Sequence, residues 1–165
     1  MAPLLLHLRR EQFKFSSAHL TVFPDGSKEA LHGHNFQVEL ALGPRSGKWD
    51  DMVSFATYKD IVKELIRALD EKVLIAEDCP LFKRESAPSG SVQFTICGKR
   101  YLLPSDEVVF LPVDNISSER LAEYLLKLFS GALGTSGLSK LESIVLRVDQ
   151  SDGQGASSSW SSHET

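Results

Sequence analysis

Residues 30–42 read ALHGHNFQVELAL. Phe36, Val38, Leu40 and Leu42 alternate with Asn35, Gln37 and Glu39, the period-two pattern of a half-buried β-strand. At its mouth His32 and His34 flank Gly33, and two residues of spacing put both imidazoles on one strand face. The glycine allows the backbone to bend or be approached closely there. Upstream, LLLHLRREQFKF (residues 4–15) alternates in the same way and predicts a first strand, and SSAHLTVFPDGSKEA is a connection rich in small polar and turn residues. Strand, connection and strand make an antiparallel hairpin with a long tip. The end of the first strand then lies beside the start of the second, and His19 comes to His32 and His34. A lone histidine near a core is commonly structural, but three of the chain's five histidines meet in one place. Three imidazoles with a fourth position open suit a catalytic zinc ion.

Outward from this hairpin, GPRSGKWDD is a turn region. Phe55, Tyr58, Ile61, Val62, Leu65, Ile66 and Leu69 recur at three- and four-residue steps, which predicts an amphipathic helix with Ser54 as N-cap, ending near LDEKVL. Residues 76–113 are less regular. SVQFTICGKRYLLP within them predicts a β-hairpin near 90–104 with Gly98-Lys99 at its tip. DNISSERLAEYLLKLFSGAL predicts a second helix, with Ser117 or Ser118 as cap, Glu119 in its first turn and an apolar stripe of Leu121, Tyr124, Leu125, Leu128 and Phe129. GTSGLSK breaks it, LESIVLRVDQ is a further strand, and the Ser-rich end reads as a partly ordered tail. The fold class expected is α+β: one domain over residues 1–156, a four-stranded antiparallel sheet with two helices on one face, and a tail over 157–165. Such a sheet leaves two edges unpaired, which favours assembly with sister subunits.

Bulk properties narrow the functional class. The 165 residues suit a single domain with an ordinary core, at 42% hydrophobic and 24% charged residues. A net charge of −4, a pI near 5.7 and no Lys/Arg cluster argue against a nucleic-acid partner. MAPLLLHLRR is too short in its apolar run for a signal peptide, and no apolar stretch is long enough to span a membrane. Cys79 and Cys97, far apart in sequence, read as reduced thiols of a cytoplasmic protein.

FSSAH followed by LHGHNF resembles the signature of the 6-pyruvoyltetrahydropterin synthase / 6-carboxytetrahydropterin synthase family. MVSFATYKDIVKELIRALDEKVL is similar to that family's segment from a Met-Val turn through the first helix to its Leu-Asp-His motif. DNISSERLAEYL resembles its second-helix start, and VLRVDQS its closing strand; residues 80–110 stand as an insertion. The resemblance implies a tunnelling fold, with three subunits joined edge to edge into a barrel and two barrels stacked as a homohexamer. It implies a lyase or synthase that uses zinc on His19, His32 and His34, acting on 7,8-dihydroneopterin triphosphate or a close pterin. Ser117, Ser118 and Glu119 then fall at the substrate-facing helix start.

Three positions depart from the family pattern. Its cysteine, four residues before the first histidine of His-Gly-His, is Lys28 here. One branch uses a glutamate instead, and Glu29 has that spacing. Either could act as base, Lys28 only if desolvated beside the metal. The family's aspartate–histidine relay is Asp70-Glu71, and a carboxyl cannot reproduce an imidazole that donates and accepts together. The glutamate that accepts two hydrogen bonds from the pterin ring is Gln150, whose amide oxygen can accept only in part; Asp149 points to the other strand face. Two readings follow. One is a zinc-dependent carbon–oxygen or carbon–carbon lyase of this type with altered base, relay and anchor. The other is a catalytically silent member that keeps zinc and serves as a binding or scaffold protein. A different zinc enzyme, such as a small hydrolase, finds no supporting motif.

Overall fold

In a computed structural model, residues 4–46, 48 and 54–163 are described. Gly47, Trp49, Asp50 and Asp51 of the GPRSGKWDD turn and the Met52-Val53 step lie outside them. Four long strands form the antiparallel body: β1 (Leu6–His19), β2 (His32–Pro44), β8 (Leu141–Ser151) and β9 (Gln154–Ser161). Between them in sequence come α1 (Phe55–Arg67), β3 (Lys72–Ala76), β4 (Phe82–Glu85), β5 (Ser91–Ile96), β6 (Lys99–Pro104), β7 (Val108–Leu111) and α2 (Ser118–Leu138).

The main sheet has six strands in the order β7-β3-β1-β2-β8-β9, not the four expected. β3 runs parallel to β1, and β7 parallel to β3, so the sheet is mixed. The added strands lack alternation: Leu74, Ile75 and Ala76 are all buried, as in a strand covered on both faces. The insertion is likewise larger than a hairpin. β5 and β6 pair as a hairpin, but its two-residue tip is Cys97-Gly98, both at positive φ, rather than Gly98-Lys99, which belongs in part to β6; β4 joins them in a three-stranded sheet. The Ser-rich stretch read as a tail from residue 157 forms β9 through Ser161, paired with β8. Half-buried Ala156, Ser158 and Trp160 alternate with exposed Ser157 and Ser159, and Gly155 is required because a Cβ there would stand 2.0 Å from the Asp149 carboxylate.

Both helices pack on the sheet and on each other. Tyr58, Val62 and Ile66 of α1, and Leu121, Leu125 and Phe129 of α2, are buried, with the Tyr58 and Phe129 rings 6.4 Å apart. Ser54 and Ser117 cap them as expected, accepting from the Ala56 and Arg120 amides. The GTSGLSK stretch kinks α2 rather than ending it: Gly134 alone is non-helical, at φ 65°, and the helix runs on to Leu138.

A bulge in β1 sets the direction of His19. Between the pairs Arg9↔Glu39 and Lys14↔Gln37, residues 10–13 of β1 face the single residue Val38. The odd number of extra residues reverses the phase of the strand. Leu8 faces the core before the bulge, whereas Phe13, Phe15, Ser17 and His19 face it afterwards. The Gln37 side-chain amide donates to the carbonyls of Arg10 and Phe13, at 3.0 and 3.2 Å, and so satisfies acceptors that the bulge removes from the ladder.

Candidate metal centre and active site

His19 pairs with His32, and Ser17 with His34, across the β1–β2 ladder. The three rings therefore converge on the core side of the sheet, with centroids 4.8–5.2 Å apart. Phe36 lies 5.5 Å from His19 and 5.8 Å from His34, and Phe15 stacks on Phe36, so the cluster stands on an aromatic floor. Gly33 is not forced by space here. An added Cβ would meet only the Ser17 carbonyl, at the ordinary contact distance of 3.6 Å.

Two of the three rings are held through Nδ1. His19 Nδ1–H donates to the Ile116 carbonyl at 3.0 Å, and His32 Nδ1–H to the Ala30 carbonyl at 2.8 Å. The Nε2 lone pairs of both rings then point inward. His34 Nε2–H donates to His32 Nε2 at 2.9 Å. His19 Nε2 is buried and has no hydrogen-bond partner among the described residues. A buried, unpartnered acceptor costs about 1–3 kcal/mol, so this nitrogen calls for a ligand. The ligating atoms of the three residues lie within 4.8 Å of one another. Three nitrogens at about 2.0–2.1 Å from one tetrahedral ion stand about 3.3–3.4 Å apart, a closure this cluster reaches with small side-chain shifts. The donor set fits a metal ion, with both Nδ1 atoms already tied to carbonyls. Burial holds the His19 imidazole below the usual histidine range, and His32 and His34 push the same way against its bond to Ile116. The shift favours the neutral form that a metal ligand needs.

Glu29 reaches this cluster. Its carboxylate is 4.0 Å from His32 Nε2. A hydrogen bond from the Thr21 side chain holds the Glu29 carboxyl below its ordinary range, with His32 reinforcing and partial burial opposing. Lys28 turns elsewhere: its ammonium donates to the Glu29 carbonyl at 2.9 Å and lies 5.5 Å from the Tyr101 ring centroid.

Asp70 and Glu71 follow α1 and meet β1. The Ser16 amide donates to Asp70 Oδ1 at 2.8 Å, and the Glu71 amide to the Ser16 carbonyl at 2.7 Å. Asp70 is thus engaged with backbone. Glu71, at φ 55°, shares a cleft of about 340 Å³ with His34, Ala18 and Lys72. Gln150 and Ser118 face each other, Ser118 Oγ–H donating to Gln150 Oε1 at 3.5 Å. Asp149 faces away, as expected, and accepts from Arg147 at 2.8 Å. Ser117 and Glu119 line a cleft of about 840 Å³ at the start of α2, together with Val22 and Asn115. The Ser117 hydroxyl holds the Glu119 carboxyl below its ordinary range.

Sequence reasoning misses the residues that make this geometry rigid. Asn115 accepts from the Val22 amide and donates to the Val22 carbonyl, at 3.0 and 2.9 Å. The next residue, Ile116, supplies the carbonyl for His19. One short stretch, residues 115–119, therefore links the histidine cluster to the end of the site that holds Gln150. A backbone carbonyl leaves no trace in a sequence. Thr21 does, two residues after His19.

Comparison with known proteins agrees with the architecture. Residues 8–158 match the family model described as 6-pyruvoyl tetrahydropterin synthase. A Methanocaldococcus jannaschii protein, named provisionally as a 6-carboxy-5,6,7,8-tetrahydropterin synthase, is 31% identical over 144 residues, covering 87% of each chain. The 6-pyruvoyl tetrahydropterin synthase of Plasmodium falciparum superposes with a TM-score of 0.90 at 22% identity, over 98% of this chain and 99% of that one. The Plasmodium vivax enzyme, solved with a catalytic glutamate replaced by alanine, superposes at 0.89 with 21% identity over 98% of this chain and 99% of that one.

Proposed function

The chain belongs to the 6-pyruvoyl tetrahydropterin synthase family, and on that premise we propose that it is a zinc-dependent pterin lyase with Glu29 as its proton acceptor. The substrate read for it is 7,8-dihydroneopterin triphosphate or a close pterin. The observation that carries the proposal is the convergence of three imidazoles, one with a buried unpartnered Nε2, beside a carboxylate 4.0 Å from His32. Zinc held by His19, His32 and His34 would supply Lewis-acid polarisation of the substrate's side-chain oxygens.

The chain's own groups do the rest. Glu29, kept ionised by Thr21, accepts a proton from the substrate side chain. Glu71 lies beside His34 in one cleft, where a carboxyl can pass that proton on. Gln150 and Ser118 receive the pterin ring. The amide oxygen of Gln150 accepts from one ring donor, while its NH₂ meets the other without an acceptor. The catalytic glutamate of the Plasmodium vivax enzyme supports this role for Glu29 in preference to Lys28, whose ammonium is engaged with the Glu29 carbonyl and Tyr101. We further read the protein as a cytoplasmic homo-oligomer, a trimer or a hexamer of two trimers. Sheet edges at β7 and β9 supply the surfaces, and no helix among the described residues is long and apolar enough to cross a membrane.

Metal analysis followed by incubation with dihydroneopterin triphosphate tests the proposal. Zinc near one equivalent is expected, with lyase turnover that Glu29→Gln lowers by about 10²–10⁴ while zinc stays bound. Bound zinc and pterin without any turnover would replace this reading with that of a silent scaffold.

A further inference from the structure

The loop that ends at Glu29 is a small hairpin. Val22 and Lys28 form an antiparallel bridge, and the Glu29 amide donates to the Thr21 carbonyl at 2.9 Å. Gly26, at φ 83°, turns its tip. The arm carrying Val22 is clamped by Asn115 through both backbone groups of that residue. The arm carrying Glu29 has a different support. Lys28 donates to the Glu29 carbonyl, and its ammonium sits over Tyr101 of the inserted sheet.

Tyr101 is itself immobilised. Its ring stacks on Phe94 at 5.2 Å and 14°, and Phe94 is fully buried. Phe94 meets Phe110 of β7 edge-on at 6.0 Å and Phe82 of β4 at 5.7 Å. A row of rings therefore runs from the main sheet, through the insertion, to the lysine that touches the backbone of Glu29. An ammonium within about 6 Å of an aromatic centroid is attracted to its face, and the attraction is lost when the ring is.

We propose that Tyr101 is a positioning residue for Glu29, acting through Lys28, so that the β4–β6 sheet is part of the active-site framework. The proposal rests on the reading of Glu29 as proton acceptor. A carboxylate must stand at hydrogen-bond reach of the proton it takes, and small displacements lower the rate steeply. Lys28 thereby acquires a role at the position where the family pattern has its cysteine: it carries no proton but fixes the backbone of the neighbour that does.

The test uses the zinc-loaded protein and the variants Tyr101→Leu, Tyr101→Phe, Lys28→Met and the double Tyr101→Leu/Lys28→Met. Turnover is measured together with hydrogen exchange of the peptide containing the Glu29 amide. Tyr101→Leu and Lys28→Met are each expected to lower kcat about two- to fivefold, the range of an ordinary cation–π contact. KM and bound zinc should stay within a factor of about two, and exchange at Glu29 should rise. The double variant should lose no more than either single one, and Tyr101→Phe, which keeps the ring, should match the wild type. Additive losses, unaltered exchange at Glu29, or a Tyr101→Phe as impaired as Tyr101→Leu would overturn the proposal. Should Tyr101→Leu fail to fold, Lys28→Met against Lys28→Arg makes the same comparison, since a guanidinium keeps the ring contact and is expected to keep turnover. A Glu29→Gln with full turnover, alongside non-additive exchange in the Tyr101 and Lys28 variants, would sink the proton-acceptor reading while leaving the positioning intact.

Discussion

Replacing His19 by leucine separates a metal ligand from a structural histidine, because the two roles predict opposite signs. His19 is 1% exposed and its Nε2 has no hydrogen-bond partner among the described residues. Without metal, that nitrogen costs the folded state about 1–3 kcal/mol. The bond from Nδ1–H to the Ile116 carbonyl returns about 0.5–1.5 kcal/mol, and the Thr21 hydroxyl, 3.4 Å away, can turn from Glu29 to that carbonyl when the imidazole is gone. Leucine has a similar volume and no polar atom. In a chelator, His19→Leu should therefore lie between about 0.5 kcal/mol less stable and about 2.5 kcal/mol more stable than the wild type. With zinc at a thousand times its dissociation constant, the wild type gains about 4.1 kcal/mol. For a chain of this size that is a rise of about 8–16 °C in Tm, which the variant should not share. Calorimetry of both proteins in chelator and in zinc checks it. A variant more than about 3 kcal/mol less stable in chelator, with zinc moving neither protein, would show that His19 is a core residue whose second nitrogen is satisfied by water.

Acid should weaken the metal-free protein by the same route. Burial lowers the His19 pKa from 6.5, so the folded state binds fewer protons than the unfolded one. The penalty is absent above pH 6.5 and grows as pH falls below it, and denaturant titrations of chelated wild type should show a steeper loss there than His19→Leu. Gln150→Glu should tighten pterin binding about tenfold by giving the second ring donor an acceptor, measured by fluorescence titration; unchanged or weaker binding would move the anchor away from Gln150. Light scattering at micromolar concentration should give a trimer or hexamer mass, and a monomer would refute edge pairing at β7 and β9.

The alternation of Phe36, Val38, Leu40 and Leu42 was enough to read β2, because one face of that strand is buried and the other is not. The same criterion fails for β3 and β7. KVLIA buries consecutive residues, so it carries no period and merges with the end of α1 in the sequence. The serines of β9 mislead in the opposite way. Small polar residues suggest a tail, yet Ala156, Ser158 and Trp160 turn to one half-buried face, and pairing with β8 satisfies the backbone. Regular period two also breaks silently inside β1. Reading His19 onto the core face requires the bulge at residues 10–13, which only the pairing partners in β2 reveal.

The histidine cluster was legible because two-residue spacing puts His32 and His34 on one strand face, and because a hairpin brings the end of one strand to the start of the next. What orients them was not, because carbonyls do that work, Ile116 for His19 and Ala30 for His32, and every residue type carries a carbonyl. The departures from the family pattern fall between these cases. The spacing of Glu29 makes it a candidate base, but its place in the structure belongs to a loop with Asn115 on one arm and Lys28 and Tyr101 on the other. Lys28 reads in the sequence as a lost cysteine, and besides the Glu29 carbonyl its ammonium meets Tyr101 of the β4–β6 sheet, far away in the chain. A residue beside the candidate site and a strand some seventy residues later thus meet at one contact, and neither explains itself alone.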